Sequence, residues 1–250
     1  MNSNIYDNLK DVIKHTHDLG FIECVKIEGD IVKAIAEDKS VVVRGKLTKS
    51  MEELEGHKVG LSKMSVLKGL LEFPPFQEEG ADVSIVHGHN SEGESFPRNV
   101  IFSSGLNHKS QYSFLSGTNA DKRVKVPKVA NIDFDVSFFP TKKNLKDISY
   151  FSGVLGSMHK TFKVKMTGGS IEFIIGDENS MQSVIPVAND IKGILTTEMI
   201  FPLANVISTL RLANNSSCEI SFCDKRGMKI NINSGLGEYL YFFPARKRSA

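Results

Sequence analysis

A repeat constrains this chain more than any other feature. Leu9-Lys10-Asp11-Val12 lies opposite Leu145-Lys146-Asp147-Ile148, an offset of 136 residues (145 minus 9). Val66-Leu67 and Leu70 lie opposite Val206-Ile207 and Leu210, an offset of 140 (206 minus 66). Each half reads helix, strands, helix, strands, and one longer loop would absorb the four-residue drift. A length of 250 residues, at roughly 150 per domain, has room for both copies. The expected class is α+β, in two tandem domains over 1–115 and 131–250 with a connector at 116–130.

The elements follow from periodicity. Ile5, Leu9, Val12, Ile13 and Leu19 recur at helical spacing, and Gly20 suits a stop. Strand-like runs cover 21–28, 31–37 and 40–47, with Gly29-Asp30 between the first two as a tight hairpin requires. A second helical pattern covers 63–72 and ends before Pro74-Pro75. Strands are expected at 81–87, 98–102 and 111–115. In the second half a helix is expected over 142–155, then strands at 162–166 and 170–175 about Gly168-Gly169, and another at 183–188. A fourth helix covers 202–212 with Pro202 in its first turn, followed by strands at 218–223, 228–232 and 238–243. The stretch 116–130 holds Gly117, Lys122, Arg123, Lys125 and Pro127, and reads as an extended connector rather than an element.

Composition removes several classes. Lys plus Arg is 31 and Asp plus Glu is 29, so the net charge is only +2. A nucleic-acid contact would have to come from charge segregated onto one surface. No apolar run approaches the ~18 residues of a membrane span, and the start, Met-Asn-Ser-Asn-Ile-Tyr-Asp, lacks the form of a signal peptide. No membrane partner and a cytoplasmic location are therefore expected. Cys24, Cys218 and Cys223 are too few and odd in number for a disulfide framework, and the last two read as small buried apolar residues. With no Trp and 16 Phe, phenylalanine carries most of the aromatic core.

Catalytic patterns are missing. There is no Gly-x-x-x-x-Gly-Lys-Ser/Thr loop, no Gly-x-Gly-x-x-Gly after a strand and no Gly-x-Ser-x-Gly. His87-Gly88-His89 reads as a polar loop and lacks further ligands at metal spacing. His15 and His17 stand two apart on a helix and cannot share a ligand, and Glu52-Glu53 and Glu78-Glu79 read as solvated faces. Neither an enzyme activity, a metal nor a cofactor is expected.

The helices say more. Lys10, Lys14 and His17 share one face of the first, Lys63 and Lys68 belong to the second, Lys142, Lys143 and Lys146 to the third, and Arg211 to the fourth. Taken singly these are ordinary surface lysines. Repeated over four helices in a duplicated frame, they point to a cationic surface that meets phosphates without reading bases.

Helices and strands repeated twice about a linker resemble the sliding-clamp fold. Met199-Ile200-Phe201-Pro202-Leu203-Ala204-Asn205-Val206-Ile207 is similar to the strand leading into the last helix of a clamp. Cys218–Cys223 and Gly227–Ile232 resemble its closing hairpin, and Glu238-Tyr239-Leu240-Tyr241-Phe242-Phe243-Pro244 resembles the final strand of the proliferating cell nuclear antigen family. In the first half, Val59-Gly60-Leu61-Ser62-Lys63-Met64-Ser65-Val66-Leu67-Lys68 is similar to the corresponding strand-into-helix. The cellular family is acidic and its best-known sequence blocks are absent from this chain, so the closer resemblance is to viral clamps of the T-even bacteriophage type.

The resemblance implies a DNA polymerase processivity factor. Three copies would close head to tail into a ring, with helices inside and antiparallel sheets outside. The strand 110–115, including Gln111, Tyr112, Ser113 and Phe114, would pair with 180–188 of the next copy, including Ser183, Val184 and Ile185. Lys10, Lys14, His17, Lys63, Lys68, Lys142, Lys143, Lys146 and Arg211 would face double-stranded DNA. A partner-peptide pocket would involve Val124 and Val126 of the connector with Phe243, Pro244 and Ala245, although Phe242 and Phe243 also read as plain strand residues of which one is core. The implied partners are a DNA polymerase and an ATP-dependent clamp loader. The alternative is a monomeric accessory protein of the same fold that grips DNA on a basic face, as some herpesvirus proteins do. The tail Arg246-Lys247-Arg248-Ser249-Ala250 reads as a frayed basic end.

Overall fold

The computed structural model describes residues 3–127, 132–215 and 217–246. They form two compact units. The first takes in the chain up to residue 37 together with 43–126 and 235–238. The second takes in 38–42, 127–234 and the chain from 239. The units are thus not the contiguous halves of a simple tandem repeat.

In the first unit, helix α1 (Ser3–His15) buries Ile5, Leu9 and Val12. Thr16 Oγ1 donates to the Val12 carbonyl at 2.5 Å and a 3-10 turn follows over His17–Leu19. Gly20 stops it at φ 83°, a left-handed conformation that glycine adopts without a Cβ clash. His17 therefore lies beyond α1 rather than on its face. The strands are β1 (Val25–Glu28), β2 (Ile31–Ile35), β3 (Val42–Leu47), β4 (Lys58–Leu61), β5 (Asp82–His89), β6 (Ser95–Ser103), β7 (Lys109–Ser113) and β8 (Leu115–Ser116). Helix α2 (Met64–Glu72) separates β4 from β5. One sheet runs in the order β8-β4-β1-β2-β3 and another in the order β5-β6-β7. Strand alternation sets the register, pairing buried Val25 with Ala34 and Ile27 with Val32. Tyr6 Oη donates to the Leu71 carbonyl at 2.7 Å and ties α1 to α2.

The second unit repeats the plan. Its strands are β9 (Val136–Phe138), β10 (Thr161–Thr167), β11 (Ser170–Gly176), β12 (Gln182–Ala188), β13 (Met199–Pro202), β14 (Ser217–Cys223), β15 (Gly227–Asn233) and β16 (Gly237–Pro244). They lie in the orders β12-β11-β10-β13 and β16-β15-β14-β9. Helices α4 (Lys142–Leu155) and α5 (Leu203–Arg211) pack on each other and on the first of these sheets. The core is phenylalanine-rich: the Phe162 and Phe173 rings lie 4.9 Å apart and Phe201 and Phe222 6.1 Å. Cys218 and Cys223 are buried, and burial pushes the Cys218 thiol up to about 12.

Four sequence expectations need correction. The connector is not extended at its start, because Gly117–Arg123 forms a helix, α3. Ser116 caps it by accepting from the Asn119 N–H, and Asp121 bridges Lys26 Nζ at 2.7 Å and Lys58 Nζ at 2.9 Å. Its Ala120 packs so closely on β4 that a Cβ at Gly60 would come within 2.9 Å. Residues 124–127 of the connector are neither helix nor strand, and its last three, 128–130, lie outside the described residues.

The expected strand 111–115 ends at Ser113, and Leu115 turns to pair with Gly60 in the neighbouring sheet. His87-Gly88-His89 is not a loop but the end of β5, beyond a bulge at Val86/His87. Finally, Pro202 ends β13 and caps α5 from outside, so the second pair of helices aligns at an offset of 139 (203 minus 64) rather than 140. That register matches buried Met64, Leu67 and Leu71 with buried Leu203, Val206 and Leu210, and it leaves Val66 53% exposed. Strand β9, only three residues long, carries too little alternation to show in the sequence.

Candidate nucleic-acid interface

The expected DNA-facing cations are not equivalent. On the first unit Lys10, Lys14 and Lys63 are exposed, and His17 is half-buried. Lys10 Nζ sits 5.5 Å from the Tyr6 ring centroid, within cation–π range. Lys63 holds a positive φ of 53° just before α2. Lys68 is committed inside the protein: its Nζ lies 2.9 Å from Asp18 and 3.7 Å from Glu72. The Asp18 hydrogen bond, foremost, raises the Lys68 pKa.

On the second unit Lys143 is likewise neutralised, by Asp147 at 2.6 Å one helical turn on. Lys142, Lys146 and Arg211 are different. They line one cleft of about 510 Å³ between α4 and α5. Its floor is apolar, with Ile148, Ile207 and Leu210 buried, and Tyr150 stands in its wall. Among the described residues, none of the three cations has a carboxylate oxygen within 4.0 Å. Local sequence places them there. Thr141 and Asn144 form a capping box that starts α4 at Lys142, and helical spacing stacks Lys142, Lys146 and Tyr150 on one side. Arg211 ends α5, where a cation also suits the helix dipole. The structure therefore brings three of the nine expected residues together with an aromatic that sequence reading left out.

The expected pairing strands both lie at sheet edges. β7 is the last strand of its sheet and β12 the last of its own. The Phe114 N–H donates to the Arg98 carbonyl at 2.9 Å, so even-numbered residues of β7 bond inward to β6. The backbone groups of Lys109, Gln111 and Ser113 then point to the open edge, while the Tyr112 side chain is buried and exchanges hydrogen bonds with Ser62. Burial pushes the Tyr112 hydroxyl up to about 12. On β12 the Asp177 N–H donates to the Met181 carbonyl at 3.3 Å, which turns Ser183 and Ile185 inward. Gln182 and Val184 face the open edge, and Val184 is 48% exposed. Pro186 has no N–H to offer, and its carbonyl accepts from Asn144 Nδ2 at 3.2 Å.

The residues named for a peptide pocket are largely internal. Val124 and Phe243 are buried, at 2% and 1% exposure, so neither presents an open wall. Val126 and Ala245 are half-buried and Pro244 is exposed. Along β16, Tyr239, Tyr241 and Phe243 point inward, which settles the choice between Phe242 and Phe243. Among the described residues no cluster of three His, Cys, Asp or Glu could hold a metal. The His87 Nε2–H donates to the Glu53 carbonyl at 2.9 Å, leaving Nδ1 to accept from Ser95 Oγ at 3.0 Å. No described helix is long and apolar enough to cross a membrane.

No family model matches the chain, and neither does any curated protein sequence. Solved structures do match. PCNA from Thermococcus kodakaraensis superposes with a TM-score of 0.64 at 14% identity, over 97% of this chain and 96% of that one. The A. fulgidus PCNA solved with the C-terminal region of FEN-1 gives 0.67 at 8% identity, over 98% and 97%. The PCNA2–PCNA3 complex from Sulfolobus tokodaii gives 0.59 at 12% identity, over 98% and 97%. Likeness of backbone over nearly the full length, at such low identity, is likeness of fold: the chain has the α+β clamp fold of PCNA.

Proposed function

We propose that this chain is a DNA sliding clamp, a non-enzymatic processivity factor that encircles duplex DNA and tethers a replicative polymerase. The observation that carries the reading is the pair of open edges. The first unit offers β7 and the second offers β12, two different edges on one chain. A heterologous contact of this kind propagates head to tail and closes into a ring when the rotation per copy is right. Closure removes both exposed edges, which otherwise invite aggregation. Three two-unit copies make the ring. The helices then line its hole, and Lys10, Lys14, Lys63, Lys142, Lys146 and Arg211 meet phosphates.

Retention by encirclement explains why a net charge of +2 is enough. Phosphate contacts of this kind carry no sequence information and leave the ring free to slide. The neighbours with the same fold support the partners: one is solved with a FEN-1 peptide, another as a complex of two PCNA chains. Opening and loading fall to a separate ATP-dependent loader. The divergence from the acidic cellular proteins suits a viral member working in the cytoplasm of its host.

Val184→Pro tests the ring. It deletes an N–H that faces the open edge while leaving the bonds of β12 to β11 in place. Light scattering after gel filtration should show a trimer at micromolar concentration for the unaltered protein and a smaller species for the variant, with unchanged circular dichroism. Processivity should fall with the trimer. An unaltered chain that stays monomeric at every concentration sinks the ring. In that case DNA binding that falls steeply with salt would identify the monomeric accessory protein instead.

A further inference from the structure

We infer that the cleft between α4 and α5 binds an unpaired nucleotide, its base stacked on Tyr150 and its flanking phosphates held by Lys146 and Arg211. The inference rests on the reading that nucleic acid passes these helices, but it goes beyond contact with a duplex. A duplex shows phosphates to a surrounding wall and keeps the faces of its bases stacked inside. Cations suffice for that contact, and an aromatic ring adds nothing to it. An unpaired base has a free face, and aromatic side chains bind it irrespective of sequence.

Tyr150 fits that task. It is 68% exposed, a large amphipathic ring left in solvent one helical turn from Lys146, with Val154 exposed one turn beyond it. Phe151 touches it edge to face at 5.3 Å and 83°, so at least one face of the Tyr150 ring stays open. The cleft beside it holds about 510 Å³, within the ~300–1,000 Å³ usual for small-molecule sites. Its apolar floor suits a base, and its three cations without carboxylate partners suit the backbone on either side. The repeat isolates the feature: at the offset of 136, the first unit has Lys14 where the second has Tyr150.

The chain has no tryptophan, so Tyr150→Trp installs a single reporter. The probes are a short oligothymidylate and a duplex of the same length. Stacking should quench the reporter with the oligothymidylate and not with the duplex. Tyr150→Ala should weaken oligothymidylate binding about five- to a hundredfold, with retention on duplex by the loaded ring unchanged. Replacing Lys146 and Arg211 by glutamine should lower the salt slope for the single strand by about 0.7 per lost contact. Equal quenching by both probes, or none by either, overturns the inference. So does a Tyr150→Ala variant whose assembly mass changes while its oligothymidylate affinity does not, since Tyr150 would then be a subunit contact. Loss of duplex retention by the unaltered protein sinks the clamp reading itself. Retention without a single-strand response sinks this inference alone.

Discussion

The two units share a frame and differ in what they show to their surroundings. Asn8-Leu9-Lys10-Asp11 and Asn144-Leu145-Lys146-Asp147 occupy the same place in α1 and α4. Asn8 Nδ2 donates to the Lys49 carbonyl at 3.1 Å, as Asn144 Nδ2 does to that of Pro186 at 3.2 Å. Thr16 and Ser152, again 136 apart, both turn a hydroxyl back onto a helix carbonyl. Around this frame the partners change. Lys14 becomes Tyr150, His15 becomes Phe151, and Glu72 becomes Arg211 at the offset of 139. Leu9 with Leu145 and Asn8 with Asn144, which fill or anchor the helices, are retained, whereas Lys14 and Glu72 at the surface and the buried His15 have diverged. The first unit spends Lys68 on Asp18 and Glu72, whereas the second leaves three cations in one cleft.

Exchanging residues between the copies breaks this comparison at chosen points. His15 should have the largest effect. Burial chiefly, then Lys14, pushes its pKa down to about 3, against the pull of Asp11 Oδ1 at 3.7 Å. The unfolded chain binds this proton near pH 6.5, well before the folded chain does. Stability is therefore full above about 6.5 and drains away as the pH falls toward 3. His15→Phe, which installs the residue of the second unit, should remove about 2–3 kcal/mol of the stability lost between pH 7 and 4.5. Urea melts at the two pH values read it, and parallel losses in both proteins would show that His15 is not the acid-labile point.

Next comes the charge exchange. Arg211→Glu should weaken retention of the loaded ring by about fivefold near 0.15 M salt, and Glu72→Arg should strengthen it by a similar factor. No change in either would mean that these helix ends do not meet phosphates. The smallest effect belongs to α3, which has no counterpart described in the second unit. The Lys26 hydrogen bond, then that of Lys58, holds the Asp121 carboxyl below the usual carboxylate range. Its contribution is present above its ordinary pKa of about 4 and is lost as the pH falls through the lower folded value. Because all three groups reach solvent, Asp121→Asn should cost less than about 1 kcal/mol. Hydrogen exchange over 117–123 should nonetheless quicken, and more so at low salt. Unaltered exchange would leave the packing of Ala120 on Gly60 as what holds the helix.

Much of this was legible because it is local. Helical spacing marks α1, α2, α4 and α5, paired glycines and Gly-Asp mark hairpins, and the repeat carries the clamp-like plan. What stayed hidden depends on partners far along the chain. Lys68 looked as available as Lys146 because Asp18, which neutralises it, is 50 residues away. α3 looked like a linker because its anchors, Lys26 and Lys58, lie 95 and 63 residues from Asp121. Val124 looked like a pocket wall because the sequence does not show that its side chain is turned into the core. Tyr150 could have been found: an aromatic at i+4 from Lys146 and i+8 from Lys142, opposite a lysine in the other copy, is visible in the repeat itself.

The division of the chain has a further consequence, which concerns the order of its making. Residues 38–42 belong to the second unit and residues 235–238 to the first. Leu236, for instance, offers its carbonyl to the Thr48 N–H at 2.8 Å, and Ser40 accepts from Asn205 at 2.9 Å. During synthesis the N-terminal half emerges first, yet its complete residue set waits for a segment near the C-terminus. Each unit lacks part of its residue set until the last stretch of chain has been made, and no single cut between them yields two whole domains. The two units are thus completed on one timetable of synthesis, which two domains simply set end to end would not share.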